Sequence, residues 1–284
     1  MKIALTGATG FLGRHVINYL LKRGEKPKIL LRPDSELPES YRELSIARFD
    51  IANPPADAFE RLGTPDVLLH LAWGGLPNYK SIHHFETELP AQFRFLRLLV
   101  DAGLPHLLVS GTCLEYGMQS GCLDETAETA PANPYGFAKD ALRGELQYLA
   151  KTAGFDLTWA RLFYLYGEGQ ASSSLYVQIC AAAERGDKVF DMSGGEQLRD
   201  YLPAEKAARH LVELALGSAR PGTVNVCSGH PVSVRRLVEG WIAQNHWSIE
   251  LNLGVFPYPD YEPLAFWGSR KKLDEALQFN GRQI

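Results

Sequence analysis

The stretch Thr6-Gly7-Ala8-Thr9-Gly10-Phe11-Leu12-Gly13 follows an apolar run, Lys2–Thr6, and leads into a segment with apolar residues at helical spacing. Those residues are Phe11, Leu12, Val16, Ile17, Leu20 and Leu21, and Gly24 stops the pattern. Strand, glycine turn and helix in that order make a cradle for a dinucleotide pyrophosphate. Gly7 permits the tight turn, Gly10 lets the backbone approach the ligand, and Gly13 lets the helix pack closely on the strand. The phosphates would meet the N–H groups at the helix start, around Thr9, Phe11 and Leu12, and the positive end of its dipole. A plain tight turn accounts for one glycine but not for three at this spacing.

Outward from the turn, short apolar runs alternate with amphipathic segments as far as about residue 160, the pattern of βαβ units and a parallel sheet. Lys28–Leu31, Asp66–Ala72, His106–Ser110 and Phe155–Arg161 read as strands. Phe85–Ala102, kinked or restarted at Pro90, and Pro134–Ala153 read as long helices. After Gly167 the rhythm changes. Pro203 starts a helix reaching Leu216, Thr223–Val226 is a strand, Ser233 caps a further helix, and the proline-bearing segment Phe256–Trp267 is irregular. The expected fold is α/β: a Rossmann-type doubly wound parallel sheet over residues 1–166, and a small C-terminal α/β substrate lobe over 167–284, partly interleaved with it.

Composition sets the outer bounds. The chain has 284 residues, 45% hydrophobic and 22% charged, as in ordinary globular proteins. Its net charge of −4 leaves no basic excess for nucleic acid. No apolar run is long enough to span a membrane, and Met1–Leu5 is too short for a signal-peptide core. Cys113, Cys122, Cys180 and Cys227 form neither a disulfide framework nor a zinc pattern and read as reduced thiols of a cytoplasmic protein. His70, inside an apolar run, reads as a satisfied core histidine; His83 and His84 lack partners at ligand spacing, so no metal site is assigned.

Tyr135-Gly136-Phe137-Ala138-Lys139 carries the chemistry. Tyr135 and Lys139 lie four apart, on one helix face. Hydride transfer to or from a carbonyl needs a proton donor or acceptor at the oxygen, and a phenol alone is too weak an acid at neutral pH. A neighbouring ammonium favours the phenolate. The pair is frequent by chance, so its context decides. The strand His106–Ser110 runs into Ser110-Gly111-Thr112-Cys113-Leu114-Glu115-Tyr116-Gly117, and a strand end there is where a second hydrogen-bond donor to a substrate oxygen would belong.

The spacing Gly7-x-x-Gly10-x-x-Gly13, the Thr112-to-Gly117 segment, Tyr135-x-x-x-Lys139 and Arg161-Leu162-Phe163-Tyr164-Leu165-Tyr166-Gly167 occur in an order that resembles the extended short-chain dehydrogenase/reductase superfamily, the nucleotide-sugar-modifying epimerase/dehydratase family. The resemblance covers most of residues 1–205. It implies a catalytic triad of Thr112, Tyr135 and Lys139, a nucleotide-diphosphate sugar as substrate, and a homodimer formed through a four-helix bundle of the two long helices. It also implies that Asp50 and Ile51 hold the adenine, and that Leu71, Ala72, Trp73 and Phe163 line the cofactor. Trp73 would narrow the active-site mouth or serve as a core aromatic. Where similar NAD enzymes carry an acid after the second strand, this chain has Leu31-Arg32; Arg32, with Arg14, offers a fork to a 2′-phosphate. NADP(H) is therefore expected, with NAD(H) possible.

Departures from the family narrow the reaction. The Asp-Glu pair that similar dehydratases carry after the catalytic Thr is Cys113-Leu114 here, and Glu115 is offset by one residue. The Cys of 3,5-epimerase/reductases is Leu114, and no His lies between His106 and His210. Two readings survive: NADPH-dependent reduction of a nucleotide-linked 4-keto-6-deoxy sugar, the expectation adopted, and NAD-dependent 4-epimerisation. Tyr164 and Glu88 replace the asparagines of similar epimerases. A non-catalytic NADP-binding regulator would not need the triad. For the substrate, Cys113 and Tyr164 are candidate contacts. Arg199 is a diphosphate ligand or a structural salt bridge, and Arg270 a second clamp or a solvated helix start. Tyr258, Tyr261 and Trp267 either stack on a base or cap the lobe's core.

Overall fold

The computed structural model describes residues 1–281, so the last three residues of the expected 167–284 lobe lie outside it. The chain runs β1 (Ile3–Thr6), α1 (Phe11–Lys22), β2 (Lys28–Leu31), β3 (Ile46–Arg48), α2 (Ala58–Arg61), β4 (Val67–His70), α3 (Leu89–Asp101), β5 (His106–Thr112), β6 (Gly121–Leu123), α4 (Pro134–Ala153) and β7 (Asp156–Leu162). It continues through β8 (Tyr164–Tyr166), α5 (Leu175–Arg185), β9 (Val189–Asp191), β10 (Leu198–Pro203), α6 (Ala204–Leu216), β11 (Thr223–Val226), β12 (Pro231–Ser233), α7 (Val234–Asn245), β13 (Glu250–Asn252), β14 (Phe266–Gly268) and α8 (Lys271–Gly281).

Seven parallel strands form one sheet in the order β11-β7-β5-β4-β1-β2-β3. The strand order reverses between β1 and β4, so a crevice opens there at their C-terminal ends. Period-two alternation explains why the strands are apolar throughout. Leu5, Ile29, Leu31, Leu69 and Leu108 face one helical layer, while Ala4, Leu30, Leu68, Leu107 and Val109 face the other. The helix expected to restart at Pro90 does so: a π-helical turn, His84–Glu88, precedes α3, and Pro90 lies in its first turn.

The second lobe holds the three-stranded sheet β12-β10-β8, the β13-β9 pair, α5 and α7 around Ile179, Phe190, Met192, Val234, Val238 and Trp241. The chain then returns to the first domain. β11 extends the large sheet beside β7, Leu211 and Val212 of α6 and Leu273 of α8 join one of its helical layers, and β14 pairs with β6. The segment after Phe256 is irregular except for β14 at its end.

Candidate active site

The expected cofactor residues assemble along one edge of the sheet. Gly7 follows β1, Arg32 follows β2, Asp50 and Ile51 lie beyond β3, Leu71 to Trp73 follow β4, Thr112 ends β5 and Phe163 follows β7. The glycines differ in what requires them. Gly7 has φ +74°, and a Cβ there would lie 2.7 Å from the Ala72 nitrogen. A Cβ on Gly13 would lie 2.1 Å from the Gly7 carbonyl oxygen. Gly10 meets only that oxygen, at 3.2 Å. It heads α1 with no side-chain cap and no acid in the first turn, which leaves the helix N-terminus to an external anion. These features fit a dinucleotide pyrophosphate. Arg14 Nε donates to the Thr9 carbonyl at 3.1 Å, while Arg32 is exposed and makes no side-chain bond among the described residues. The Asp50 carboxylate accepts from the Ala52 N–H at 3.0 Å.

Tyr135 enters the site because Asn133 caps α4, accepting from the Gly136 N–H at 2.8 Å with Pro134 at the first helical position. Gly136 is required: its Cβ would lie 2.7 Å from the Leu114 carbonyl, so only glycine lets α4 sit against the turn after Thr112. The Thr112 hydroxyl accepts from the Leu114 N–H at 3.3 Å and lies beside the Tyr135 phenol. Burial pushes that phenol's pKa far up, with Tyr79, Glu115 and Cys113 adding to it and Thr112 drawing it back.

Lys139 Nζ donates to the Ser110 carbonyl at 2.8 Å and stands 4.0 Å from the centre of the Trp73 ring. Burial pulls its pKa down to about 7, while Glu115 and Glu88 act to raise it. Trp73 is thus part of the site; its indole N–H donates to His84 Nδ1 at 3.1 Å, and its ring meets Tyr135 edge-on.

Glu115, one position late for a dehydratase acid, lies in the 3-10 turn Cys113–Tyr116 and turns inward to cap Thr112. It is fully buried, and its carboxylate accepts from the Thr112 N–H (2.8 Å), Trp159 Nε1 (3.0 Å) and Arg161 Nε (2.7 Å). It therefore positions Thr112 and does not face the substrate. His70 is satisfied as expected: Nδ1 bonds Thr6 Oγ1 at 2.9 Å and Nε2 bonds Gln92 Oε1 at 2.8 Å, and burial pulls its pKa down to about 3.

Several site residues carry no sequence signal of their own. Tyr79 packs on Tyr135, with ring centres 5.5 Å apart, and Tyr261 packs on Tyr79 at 6.2 Å. Lys80 and Asp260 pair at 2.8 Å and tie the two loops together. Glu88 accepts from Gly74 N–H and Gln92 Nε2, each at 2.9 Å, fixing the loop after β4; a Cβ on Gly74 would collide with its carboxylate. Only the adjacent Gly74-Gly75 pair hints at such crowding.

On the substrate side, Cys113 is 4% exposed and packs with Phe163, Phe266 and Tyr164; burial raises its thiol well above the ordinary value. Arg199 is buried in an ion pair with Glu262 at 2.9 Å. Arg270 is held at the start of α8 by Asp274 (2.8 Å) and the Cys227 carbonyl (3.0 Å). The Tyr164 ring lies 5.4 Å from that of Tyr201.

The profile of the NAD dependent epimerase/dehydratase family matches residues 3–227. The chain is 31% identical over 275 residues, 95% of its own length and 100% of the other's, to dTDP-6-deoxy-L-talose 4-dehydrogenase (NAD(+)) of Aggregatibacter actinomycetemcomitans. It is 25% identical over 244 residues, 84% of its length and 78% of the other's, to GDP-6-deoxy-D-talose 4-dehydrogenase of the same organism. Among solved structures, MoeE5 in complex with UDP-glucuronic acid and NAD superposes over 99% of this chain and 93% of its own, at TM-score 0.83 and 23% identity, a likeness of fold. Among the described residues, no helix is long and apolar enough to cross a membrane.

Proposed function

Because this chain belongs to the NAD dependent epimerase/dehydratase family, we propose that it is a nucleotide-sugar 4-oxidoreductase, interconverting a 4-hydroxyl and a 4-ketone on a nucleotide-linked 6-deoxy sugar. The observation that carries this is the meeting of Thr112, Tyr135 and Lys139 at the same sheet edge as the glycine turn. In the oxidative direction Tyr135 takes the proton of the sugar hydroxyl while Thr112 holds the same oxygen, and in reduction the proton returns along the same path. An ammonium on Lys139 would favour the phenolate that this step needs, against the burial that pushes the phenol up. A bound nicotinamide supplies or accepts the hydride.

The reductase expected from sequence and a 4-dehydrogenase are one reaction read from its two ends. The cofactor therefore sets the direction. Arg32 is the feature that favours NADP(H). The 31%-identical relative named for NAD(+) supports NAD(H) and oxidation, and that is the reading we adopt. The family name covers epimerases too, so a 4-epimerase that keeps its NAD remains the second reading. The replacement of two epimerase asparagines by Tyr164 and Glu88 weighs against it.

The test mixes purified protein with dTDP- and GDP-linked 6-deoxyhexoses and either NAD+ or NADP+, and follows reduced-nicotinamide absorbance. We expect faster turnover with NAD+, with Arg32→Asp widening the gap. Protein that carries its own NAD and yields the 4-epimer without free NADH would sink the dehydrogenase.

The long helix α4 exposes Phe137 (53%) and Tyr148 (74%), and a groove of about 610 Å³ between α3 and α4 is lined by Phe93, Arg97, Glu145, Tyr148 and Leu149. This face supports the homodimer through a four-helix bundle. Sedimentation velocity should show a dimer that Tyr148→Glu shifts toward monomer; a monomeric wild type removes the bundle.

A further inference from the structure

Lys139 is 1% exposed, and its Nζ donates to the Ser110 carbonyl at 2.8 Å. An ammonium carries three N–H donors, so two find no protein acceptor among the described residues. The carboxylates that favour its charge, Glu115 and Glu88, act from a distance and are committed elsewhere. Glu115 is bonded to the Thr112 N–H, Trp159 and Arg161, and Glu88 to the Gly74 N–H and Gln92. A buried cation with so little compensation is costly.

Trp73 is what covers it. Nζ lies 4.0 Å from the centre of the indole ring, well inside the roughly 6 Å over which a cation is drawn to the negative face of an aromatic ring. Indole offers the strongest such face, and the attraction grows where water is excluded.

The indole is itself held from behind. Its N–H donates to Nδ1 of the fully buried His84 at 3.1 Å, and His84 Nε2 meets the Asn78 carbonyl at 2.9 Å. An indole nitrogen only donates, so Nδ1 is the acceptor and the imidazole proton sits on Nε2, facing the carbonyl. Both ring nitrogens are thereby used in one neutral tautomer. The Trp73 and His84 rings stack at 28° with centres 6.4 Å apart, and both meet the Tyr135 ring edge-on, at 6.0 and 5.2 Å. A continuous chain of contacts therefore runs from the Asn78 carbonyl through His84 and Trp73 to the Lys139 ammonium, alongside Tyr135.

We propose that Trp73 is a positioning residue for the proton transfer: its indole face holds the Lys139 ammonium beside Tyr135, and His84 clamps the indole in that pose. This rests on the oxidoreductase reading above, in which a charged Lys139 favours the phenolate. The hold matters because the charge is precarious: burial pulls Lys139 down to about 7, against Glu115 and Glu88. The other titratable groups around it are Tyr135 on its own helix, His84 behind the indole, and His70 on β4, which burial and Lys139 together keep neutral. Without the indole face, Lys139 would lose its proton at a lower pH.

The experiment compares wild type, Trp73→Leu and Trp73→Phe. Leucine keeps an apolar cover over Lys139 and removes the π face; phenylalanine keeps a smaller face and serves if Trp73→Leu folds poorly. One measurement is the titration of the Lys139 amine by NMR of isotope-labelled lysine, assigned with Lys139→Met. The other is kcat and KM for the sugar nucleotide across neutral and alkaline pH. The expected result for Trp73→Leu is a midpoint about one pH unit lower and kcat about tenfold lower at alkaline pH, with KM little changed. Trp73→Phe should fall between Trp73→Leu and wild type. An unchanged or raised midpoint in Trp73→Leu overturns the inference, because the indole would then only exclude water. So does a Trp73→Phe variant no better than Trp73→Leu, and so does a raised KM with kcat kept, which would make Trp73 a substrate wall. A wild type that turns over no sugar nucleotide, while Trp73→Leu still lowers the midpoint, overturns the oxidoreductase reading and leaves the indole's hold on Lys139 standing.

Discussion

The glycine turn at residues 7–13 and the side-chain wall around Tyr135 are built in opposite ways. The turn uses backbone atoms from seven consecutive residues, and its requirement is steric: Gly7 and Gly13 have no room for a Cβ. The wall uses side chains from Tyr79, Cys113, Tyr135, Tyr164, Arg199 and Glu262, separated by up to 183 positions and joined by buried hydrogen bonds and ring contacts. A pyrophosphate is the same in every dinucleotide, so a fixed backbone cradle suffices for it. Sugars differ by the orientation of single hydroxyls, so their recognition falls to side chains that can vary without disturbing the sheet.

That contrast can be broken in graded steps. Tyr135→Phe removes the proton carrier at the junction of the two regions; kcat should fall by about 10²- to 10⁴-fold with dinucleotide Kd little changed. Steady-state rates and a binding titration check it together, and intact turnover would end the mechanism. Glu115→Ala should be next. It strands the Arg161 guanidinium, 2% exposed, and removes the cap on the Thr112 N–H. The expected cost is about 3–5 kcal/mol of stability, read by denaturant unfolding; a change under 1 kcal/mol would show that Glu115 is dispensable.

Gly13→Ala is milder and strictly local. Its Cβ must displace the Gly7 carbonyl, so the cost should be about 1–3 kcal/mol, with weakened dinucleotide binding. Binding of a bare nucleoside diphosphate should persist; its loss would mean the two regions are not separable.

Smallest near neutrality is a pH effect. Burial holds His70 at about 3, and His106 and His210 at about 4, against about 6.5 for the unfolded chain. As pH falls through about 6.5 the unfolded chain gains protons that the folded one refuses, so stability present above that pH is lost progressively toward pH 4 and below. All three lie in elements of the large-sheet domain, on β4, β5 and α6. Thermal melts should therefore decline with acid, and the dinucleotide region should fail first. A melting temperature unchanged from pH 7 to 5 would contradict it.

How much was legible follows from the same contrast. The parallel strands, the restart of the helix at Pro90, the Ser233 cap and the Tyr135–Lys139 face follow from local periodicity, φ restriction and side-chain chemistry. Glu115 turns inward for a reason the offset did not give: Cys113–Tyr116 is a 3-10 turn, and the Glu115 carboxylate closes a capping box on Thr112. The return of α6, β11 and α8 to the first domain was seen only as a partial interleaving, since residues 167–281 show no composition break at the crossing points. Arg199 was left between ligand and salt bridge, because its partner lies 63 positions away in a segment without periodic pattern. Tyr79 was missed for the same reason. The NADP preference rested on Leu31-Arg32 in place of an acid and on Arg14, and the NAD(+)-named relative does not support it.

The sequence by itself determined the α/β class, the turn at Gly7–Gly13 and the shared helix face of Tyr135 and Lys139, because each depends on bonds and steric limits within a few residues. Only the tertiary structure decided that Lys139 is desolvated over Trp73, that Tyr79 covers Tyr135, and that Arg199 belongs to Glu262. Burial and charge pairing are properties of the space between distant segments, and that space exists only once the chain has folded.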